Sequence, residues 1–310
     1  MMVRGVVAVA SSPLRPSCFS RRPHQRAPLR LRSTRWRRSA ADMNGELWAL
    51  DFDGVICDSC GESSLSAWKA AAKLWPETMN SQAALDKKDS IIEDMRAVRP
   101  VVETGYENIV QIRCLLEGVG VDEMLEDWGS ILEDYMKKWS LDRAELVELF
   151  GSTRDKWMAE DLTSWLAPNR IYQGLPDALK SAMEDEQKEV YIVTTKQARF
   201  TATLLRDMAG VEFPMERIFS MTVSGRPKTE VLAMLEEKHP DRRCFFIEDK
   251  ISTLEKVCQQ SEFDVWSLYL ADWGYNTARE RKRAEANPKI TVFGLPDFNA
   301  LLDGKKAEAV

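Results

Sequence analysis

The run Trp48-Ala49-Leu50-Asp51-Phe52-Asp53-Gly54-Val55-Ile56 constrains this chain more than any other stretch. An apolar segment of strand length, residues 46–51, ends on two carboxylates two positions apart, and a glycine follows. Along an extended chain residues i and i+2 point the same way, so Asp51 and Asp53 should project together from the end of a buried strand. Gly54 permits the sharp turn that comes next. Two adjacent carboxylates repel each other, and a site that keeps both usually holds a cation between or beside them.

From about Tyr172 onward, helix and strand patterns alternate. Helices are predicted over 176–184, 197–208, 228–238 and 251–260, and strands over 189–194, 217–223, 243–247 and 265–270. Short apolar strands separated by helices predict an α/β fold with a parallel, doubly wound sheet and right-handed crossovers. The strand at 46–51 belongs to that sheet. The intervening stretch reads as helical. Met124, Leu125, Trp128, Ile131, Leu132, Tyr135, Met136 and Trp139 keep i, i+4, i+7 spacing. A second apolar series, from Ile109 to Leu116, is stopped by Gly118 and Gly120. Asp142 with Glu145 has the form of a capping box. These Trp and Met stripes read as helix-packing core rather than a ligand box. The expected organisation is an α/β core over 42–62 and 167–310, with an all-helical cap over 63–166 inserted after the first strand. In such sheets the site lies at the carboxyl ends of the strands, where Asp51 and Asp53 stand.

Composition narrows the function. Residues 1–41 hold ten arginines and no lysine, aspartate or glutamate. That is the make-up of an organelle transit peptide, and its serines and prolines favour a chloroplast over a mitochondrion. A basic tail for nucleic acid or membrane is the plainer alternative. The remaining residues carry 33 basic and 49 acidic side chains, a net charge of −16. Such a surface disfavours nucleic acid, and a phosphorylated substrate would need local cations or a metal to offset the field. No apolar run reaches bilayer-spanning length, so neither a transmembrane helix nor a membrane partner is expected. The two histidines are His24 and His239. A His-rich metal site is therefore excluded, and a Ser-His-Asp triad would have to use His239. There is no GxSxG, Walker loop or dinucleotide glycine fingerprint.

Four features fall at strand ends or helix starts. Asp51-x-Asp53-Gly54 closes the first strand. Thr194-Thr195-Lys196 closes Val190-Tyr191-Ile192-Val193. Lys228, in Gly225-Arg226-Pro227-Lys228, opens a helix. Glu248-Asp249 closes Cys244-Phe245-Phe246-Ile247. A cation at a helix start opposes the helix dipole, a misfit that favours a functional Lys228. In this order the set resembles the haloacid dehalogenase-like (HAD) hydrolase superfamily, with a Rossmann-like sheet and a C1-type helical cap. The extended form Asp51-x-Asp53-Gly54-Val55-Ile56-x-Asp58-Ser59, and the later Trp273-Gly274-Tyr275, are similar to its phosphoglycolate-phosphatase-like branch.

The resemblance implies a phosphatase acting on a small phosphorylated metabolite. Asp51 would be the nucleophile that forms an aspartyl phosphate, and Asp53 the acid and base serving leaving group and water. A second acid at 53 argues against a dehalogenase, which has no leaving group to protonate. Thr194 would bind a phosphoryl oxygen and Lys228 would neutralise charge. Mg2+ would be held by Asp51, the main-chain carbonyl of Asp53, and Asp249, with Glu248 direct or through water. The commonest pattern has glycine where Glu248 stands and a further aspartate at Thr253. Thr195, Lys196, Arg99 and Glu103 are candidate substrate contacts, with Arg96 beside them; singly, each cap charge also reads as a solvated helix face. Asp58 and Ser59 read equally as helix caps or site residues. Cys57 and Cys60 form a CxxC beyond the nucleophile loop. With no second CxxC it reads as small residues packing under the cap, and thiol control of the loop is the sharper alternative. A sugar phosphomutase and a non-catalytic HAD-fold binding protein are the competing functions. The oligomeric state is open.

Overall fold

The computed structural model of the chain describes residues 45–304, so the arginine-rich segment 1–41 lies outside the described residues. The order begins with β1 (Glu46–Leu50) and a short β2 (Cys57–Asp58). Seven helices follow: α1 (Cys60–Leu74), α2 (Pro76–Met79), α3 (Gln82–Val98), α4 (Glu107–Leu116), α5 (Val121–Lys138), α6 (Arg143–Glu160) and α7 (Leu162–Leu166). The rest alternates: β3 (Arg170–Ile171), α8 (Leu175–Glu184), β4 (Lys188–Thr194), α9 (Ala198–Leu204), β5 (Ile218–Ser220), α10 (Met221–Ser224), α11 (Lys228–Lys238), β6 (Arg243–Glu248), α12 (Ile251–Cys258), β7 (Trp266–Ala271), α13 (Ala278–Glu285), β8 (Ile290–Phe293) and α14 (Leu295–Leu302). No helix among the described residues is long and apolar enough to cross a membrane.

Six strands form one parallel sheet in the order β5-β4-β1-β6-β7-β8. β1 is central, with Leu50 paired to Ile192 of β4 and Ile247 of β6. Alternation along the strands divides the core into two layers. Trp48, Leu50, Val190, Ile192, Phe245 and Ile247 face α8, α9 and α14. Leu47, Ala49, Tyr191, Val193, Cys244 and Phe246 face α11, α12 and α13. Both faces are covered, so these strands read as continuous apolar runs rather than alternating ones. The chain leaves β4 and β5 on one side of β1 and reappears as β6 on the other. That reversal opens a crevice beyond the end of β1.

Trp165 of α7 joins the core beside the sheet, whereas α1 to α6 pack on a core of their own, including Trp68, Met95, Ile109, Ile112, Met124 and Phe150. At its base, β2 and β3 pair antiparallel, Cys57 with Ile171 and Asp58 with Arg170, joining the outgoing and returning chain.

Several boundaries differ from the sequence expectation, each for a local reason. α1 begins at Cys60 rather than 63, because the Tyr275 hydroxyl accepts the N–H groups of Ser59 and Cys60 at 2.8 and 3.0 Å. The strand expected over 217–223 stops at Ser220; Met221–Ser224 turn helically and end at Gly225, with φ 69°. The apolar series through Trp139 is broken at Asp127 (φ −147°, ψ 57°), and only Met124 and Trp128 of α5 are buried. Asp142 does cap α6, accepting from Ala144 and Glu145 N–H. β8, α13 and α14 were not expected. β8 has four residues on the sheet edge, too few for a periodic signal.

Candidate active site

β1 ends one residue before Asp51, whose N–H donates to the Ile247 carbonyl at 2.9 Å and so stays in register with β6. The turn after Asp53 requires glycine. Gly54 has φ 85°, and a Cβ there would lie 2.1 Å from Asp249 Oδ2. Gly274 closes on the same carboxylate, since a Cβ there would lie 2.4 Å from Asp249 Cβ. The Tyr275 N–H donates to Asp249 Oδ2 at 2.7 Å, and the Asn276 amide donates to the Asp249 carbonyl at 3.0 Å. The Trp273-Gly274-Tyr275 segment thus forms the wall that fixes Asp249.

Asp51, Glu248 and Asp249 are buried, and each offers a carboxylate oxygen within 4.8 Å of the others. Lys228, the first residue of α11, places Nζ 3.1 Å from Asp51 Oδ2 and 2.6 Å from Glu248 Oε2. Burial pushes Asp51 up to about 7 against the pull of the Lys228 ammonium, with Glu248 and Asp53 adding to the rise. Burial, then the Asp51 charge, pushes Asp249 up to about 6. Glu248 is also raised, first by burial. Burial works against the Lys228 charge, and Asp51 and Glu248 more than restore it. Three buried carboxylates around one ammonium leave an excess of negative charge and hard oxygen donors, which fits a divalent cation. The oxygens of Glu248 are already engaged: Oε2 by Lys228, and Oε1 by the N–H groups of Asp249 and Lys250 at 3.2 and 3.1 Å. Of the pair, Asp249 is the freer to meet a cation.

Asp53 has different surroundings. Its Oδ1 accepts from the Ser59 hydroxyl at 2.5 Å and lies 3.1 Å from Lys196 Nζ. Burial would raise Asp53, but Lys196, then Arg99, the Ser59 hydroxyl and Arg154 hold it below the usual aspartate value. Two neighbouring carboxylates are therefore driven in opposite directions, Asp51 up and Asp53 down.

Two cavities meet here. One, of about 400 Å³, is walled by Asp51, Lys228, Glu248 and Asp249, and a smaller one, of about 30 Å³, by Lys196, Asn108 and Arg154. Asp53, Arg99, Glu103 and Thr195 line both. Arg99 is buried, stacks at 4.1 Å on the Tyr275 ring, and donates to the Val102 carbonyl at 3.4 Å; its Nε has no partner. Glu103 is exposed at the cavity edge.

The other sequence candidates differ in where they stand relative to these cavities. Thr194 is fully buried, accepts the Lys196 N–H at 3.2 Å and lines neither cavity, whereas Thr195 lines both. Lys196 is engaged by the Asp53 and Glu62 carboxylates. Arg96 pairs with Asp58 at 3.0 Å. Asp58 Oδ1 accepts the Cys60 N–H and the Tyr275 hydroxyl, a capping role, while Ser59 belongs to the site. Cys57 and Cys60 are free and buried, and burial pushes both thiols up. That environment suits packing rather than reactivity. His239 Nε2 lies 2.9 Å from the Tyr191 hydroxyl and lines neither cavity. Ser59 read from the sequence equally as a cap or a site residue, and its hydroxyl meets Asp53; Glu62 and Arg154 were not among the sequence candidates.

No family model matches the sequence, and no curated protein matches it either. Solved structures do resemble the fold. One is a predicted phosphatase from Clostridium acetobutylicum, 14% identical, covering 83% of this chain and 98% of that one, with a TM-score of 0.50. Another is a predicted phosphoglycolate phosphatase from Haemophilus somnus 129pt, 15% identical, covering 83% and 98%, also with a TM-score of 0.50. Identities this low speak for the fold alone. With six parallel strands in this order and an inserted helical cap, the chain carries the haloacid dehalogenase-like (HAD) fold.

Proposed function

We propose that this chain is a Mg2+-dependent phosphatase that hydrolyses a small phosphomonoester through an aspartyl phosphate on Asp51. The observation that carries the proposal is the convergence of Asp51, Lys228 and Asp249 from separate elements within one buried cluster, with Asp53 on the same turn. The two solved structures named above are described as phosphatases, which agrees with it.

A carboxylate oxygen of Asp51 would attack phosphorus as the P–O ester bond breaks. Asp53 is held as a carboxylate by Lys196, Arg99 and Ser59 in the free chain. It would take up a proton once the anionic ester lies beside it. It would give that proton to the departing oxygen, then take one from the water that cleaves the aspartyl phosphate. Lys228 would hold Asp51 in place and offset phosphoryl charge. Arg99 and Thr195 would donate to the phosphoryl group or to the leaving group. Asp51, Asp249 and the Asp53 carbonyl would hold Mg2+, with Glu248 acting through Lys228 or through water. The bound cation would supply the charge that lets an anionic carboxylate approach an anionic ester. The cap above the cavities favours small molecules over phosphoproteins. We also propose that residues 1–41 direct the protein to the chloroplast.

The test is phosphate release by the full chain from a panel of small phosphomonoesters, with Mg2+ or with EDTA, beside the Asp51→Asn variant. Release that requires Mg2+ and disappears in Asp51→Asn is the expected result. A folded wild-type chain that releases no phosphate from any ester would refute it.

A further inference from the structure

Glu62 belongs to none of the four strand-end features, yet it is fully buried and its carboxylate accepts four hydrogen bonds. Arg154 grips it with Nε to Oε1 at 2.7 Å and Nη2 to Oε2 at 2.6 Å. The Trp165 indole N–H and the Ser66 hydroxyl complete Oε1 at 3.0 and 2.6 Å. Lys196 Nζ lies 3.9 Å from Glu62 Oε2 and 3.1 Å from Asp53 Oδ1. Four charges of alternating sign thus run from the reaction centre outward: Asp53, Lys196, Glu62, Arg154.

These residues come from places that matter for the cap. Lys196 follows β4 of the core. Glu62 stands in the first turn of α1, where the chain enters the cap, and Trp165 in α7, just before it returns. Arg154 lies on α6, held between the rings of Phe150 and Phe200 at 4.2 and 5.4 Å. Stripping one partner from a buried ion pair leaves an uncompensated charge. If Arg154 were withdrawn, the nearest remaining cation for Glu62 would be Lys196, which now favours Asp53 by less than an ångström.

We infer that Arg154 is a positioning residue that, by neutralising Glu62, leaves Lys196 on Asp53, so that the leaving-group acid is fixed in place only while the cap is seated. The inference rests on the phosphatase reading, in which Asp53 serves the leaving oxygen. Its test compares kcat on an alkyl phosphate with kcat on p-nitrophenyl phosphate, whose leaving group departs without a proton. In the full chain, Arg154→Met should lower kcat on the alkyl ester by roughly 10²-fold. The nitrophenyl ester should lose much less, so the ratio falls by about tenfold or more. Arg154→Lys, which keeps a cation within reach of Glu62, should recover most of the ratio. If Arg154→Met does not fold, Arg154→Gln takes its place, with the same fall in ratio expected, whereas Glu62→Gln, which removes the competitor for Lys196, should keep the ratio near wild type. Equal losses on both esters would make the pair purely structural and overturn the inference. A wild-type chain inactive on both esters would overturn the phosphatase reading and the inference with it.

Discussion

Replacing Gly54 with alanine should disable the site at a cost in stability that a second glycine can calibrate. Gly54 has φ 85°, and its added Cβ would stand 2.1 Å from Asp249 Oδ2, 2.6 Å from Asp249 Cγ and 2.9 Å from Tyr275 Cδ2. Gly118 has a similar φ of 94°, and a Cβ there would meet nothing within 4 Å. Gly118→Ala therefore pays only for the left-handed backbone, about 1–2 kcal/mol. In a domain of this size that is roughly a 2–8 °C fall in Tm. Gly54→Ala bears the same strain and must also drive the Asp249 carboxylate outward by about 1 Å to restore an ordinary contact. That carboxylate is tied to the Tyr275 N–H at 2.7 Å and cannot yield freely. A misplacement of about 1 Å in a catalytic group costs on the order of 10²-fold in rate. The assays are thermal unfolding of both variants and phosphate release at saturating Mg2+. Gly118→Ala should lose stability and keep its rate, while Gly54→Ala should lose at least as much stability and about 10²-fold in kcat. A folded Gly54→Ala variant with kcat within threefold of wild type would show that Asp249 need not stand where this turn holds it.

Two further outcomes can be checked. In EDTA, stability should fall as pH rises from about 4 toward 7, because Asp51, raised to about 7, keeps a proton in the folded chain that the unfolded chain releases. Asp249 adds to the same slope up to about 6. Asp51→Asn removes the larger contribution, so its Tm relative to wild type should climb between pH 5 and pH 7.5; parallel Tm curves would refute this account. Residues 1–41 fused to a fluorescent protein should be imported into chloroplasts, and import into mitochondria alone would overturn the plastid proposal.

The sequence made the sheet and most of the carboxylate cluster legible because each lies where a continuous apolar run stops. Asp51, Glu248 and Asp249 end strands buried on both faces, and a charge at such a boundary stands out against its neighbours. Lys228 stood out by opposing the dipole of the helix it opens. Glu62 and Arg154 carried no such contrast. Glu62, in the first turn of α1, reads as an ordinary acid at a helix start. Arg154, among the mixed polar residues of α6, reads as part of a solvated face. They meet across 92 residues of sequence, through a fold in which the cap returns to its point of departure, and no local pattern reports that.

Glu248 shows why a departure from a familiar pattern need not weaken a site. A glycine there would leave Lys228 to Asp51 alone. Instead Lys228 lies nearer to Glu248, at 2.6 Å, than to Asp51, at 3.1 Å, and both carboxylates are buried. An ammonium shared between two buried carboxylates is anchored at a point rather than swinging on its four-carbon stem. Glu248 is fixed in turn by the N–H groups of Asp249 and Lys250. The added acid thus spends its charge on holding the lysine, while Asp51 and Asp249 keep oxygens facing the larger cavity. The local charge balance is what the substitution alters, and it does so in the direction that makes a bound cation more favourable, since one ammonium must now answer three carboxylates.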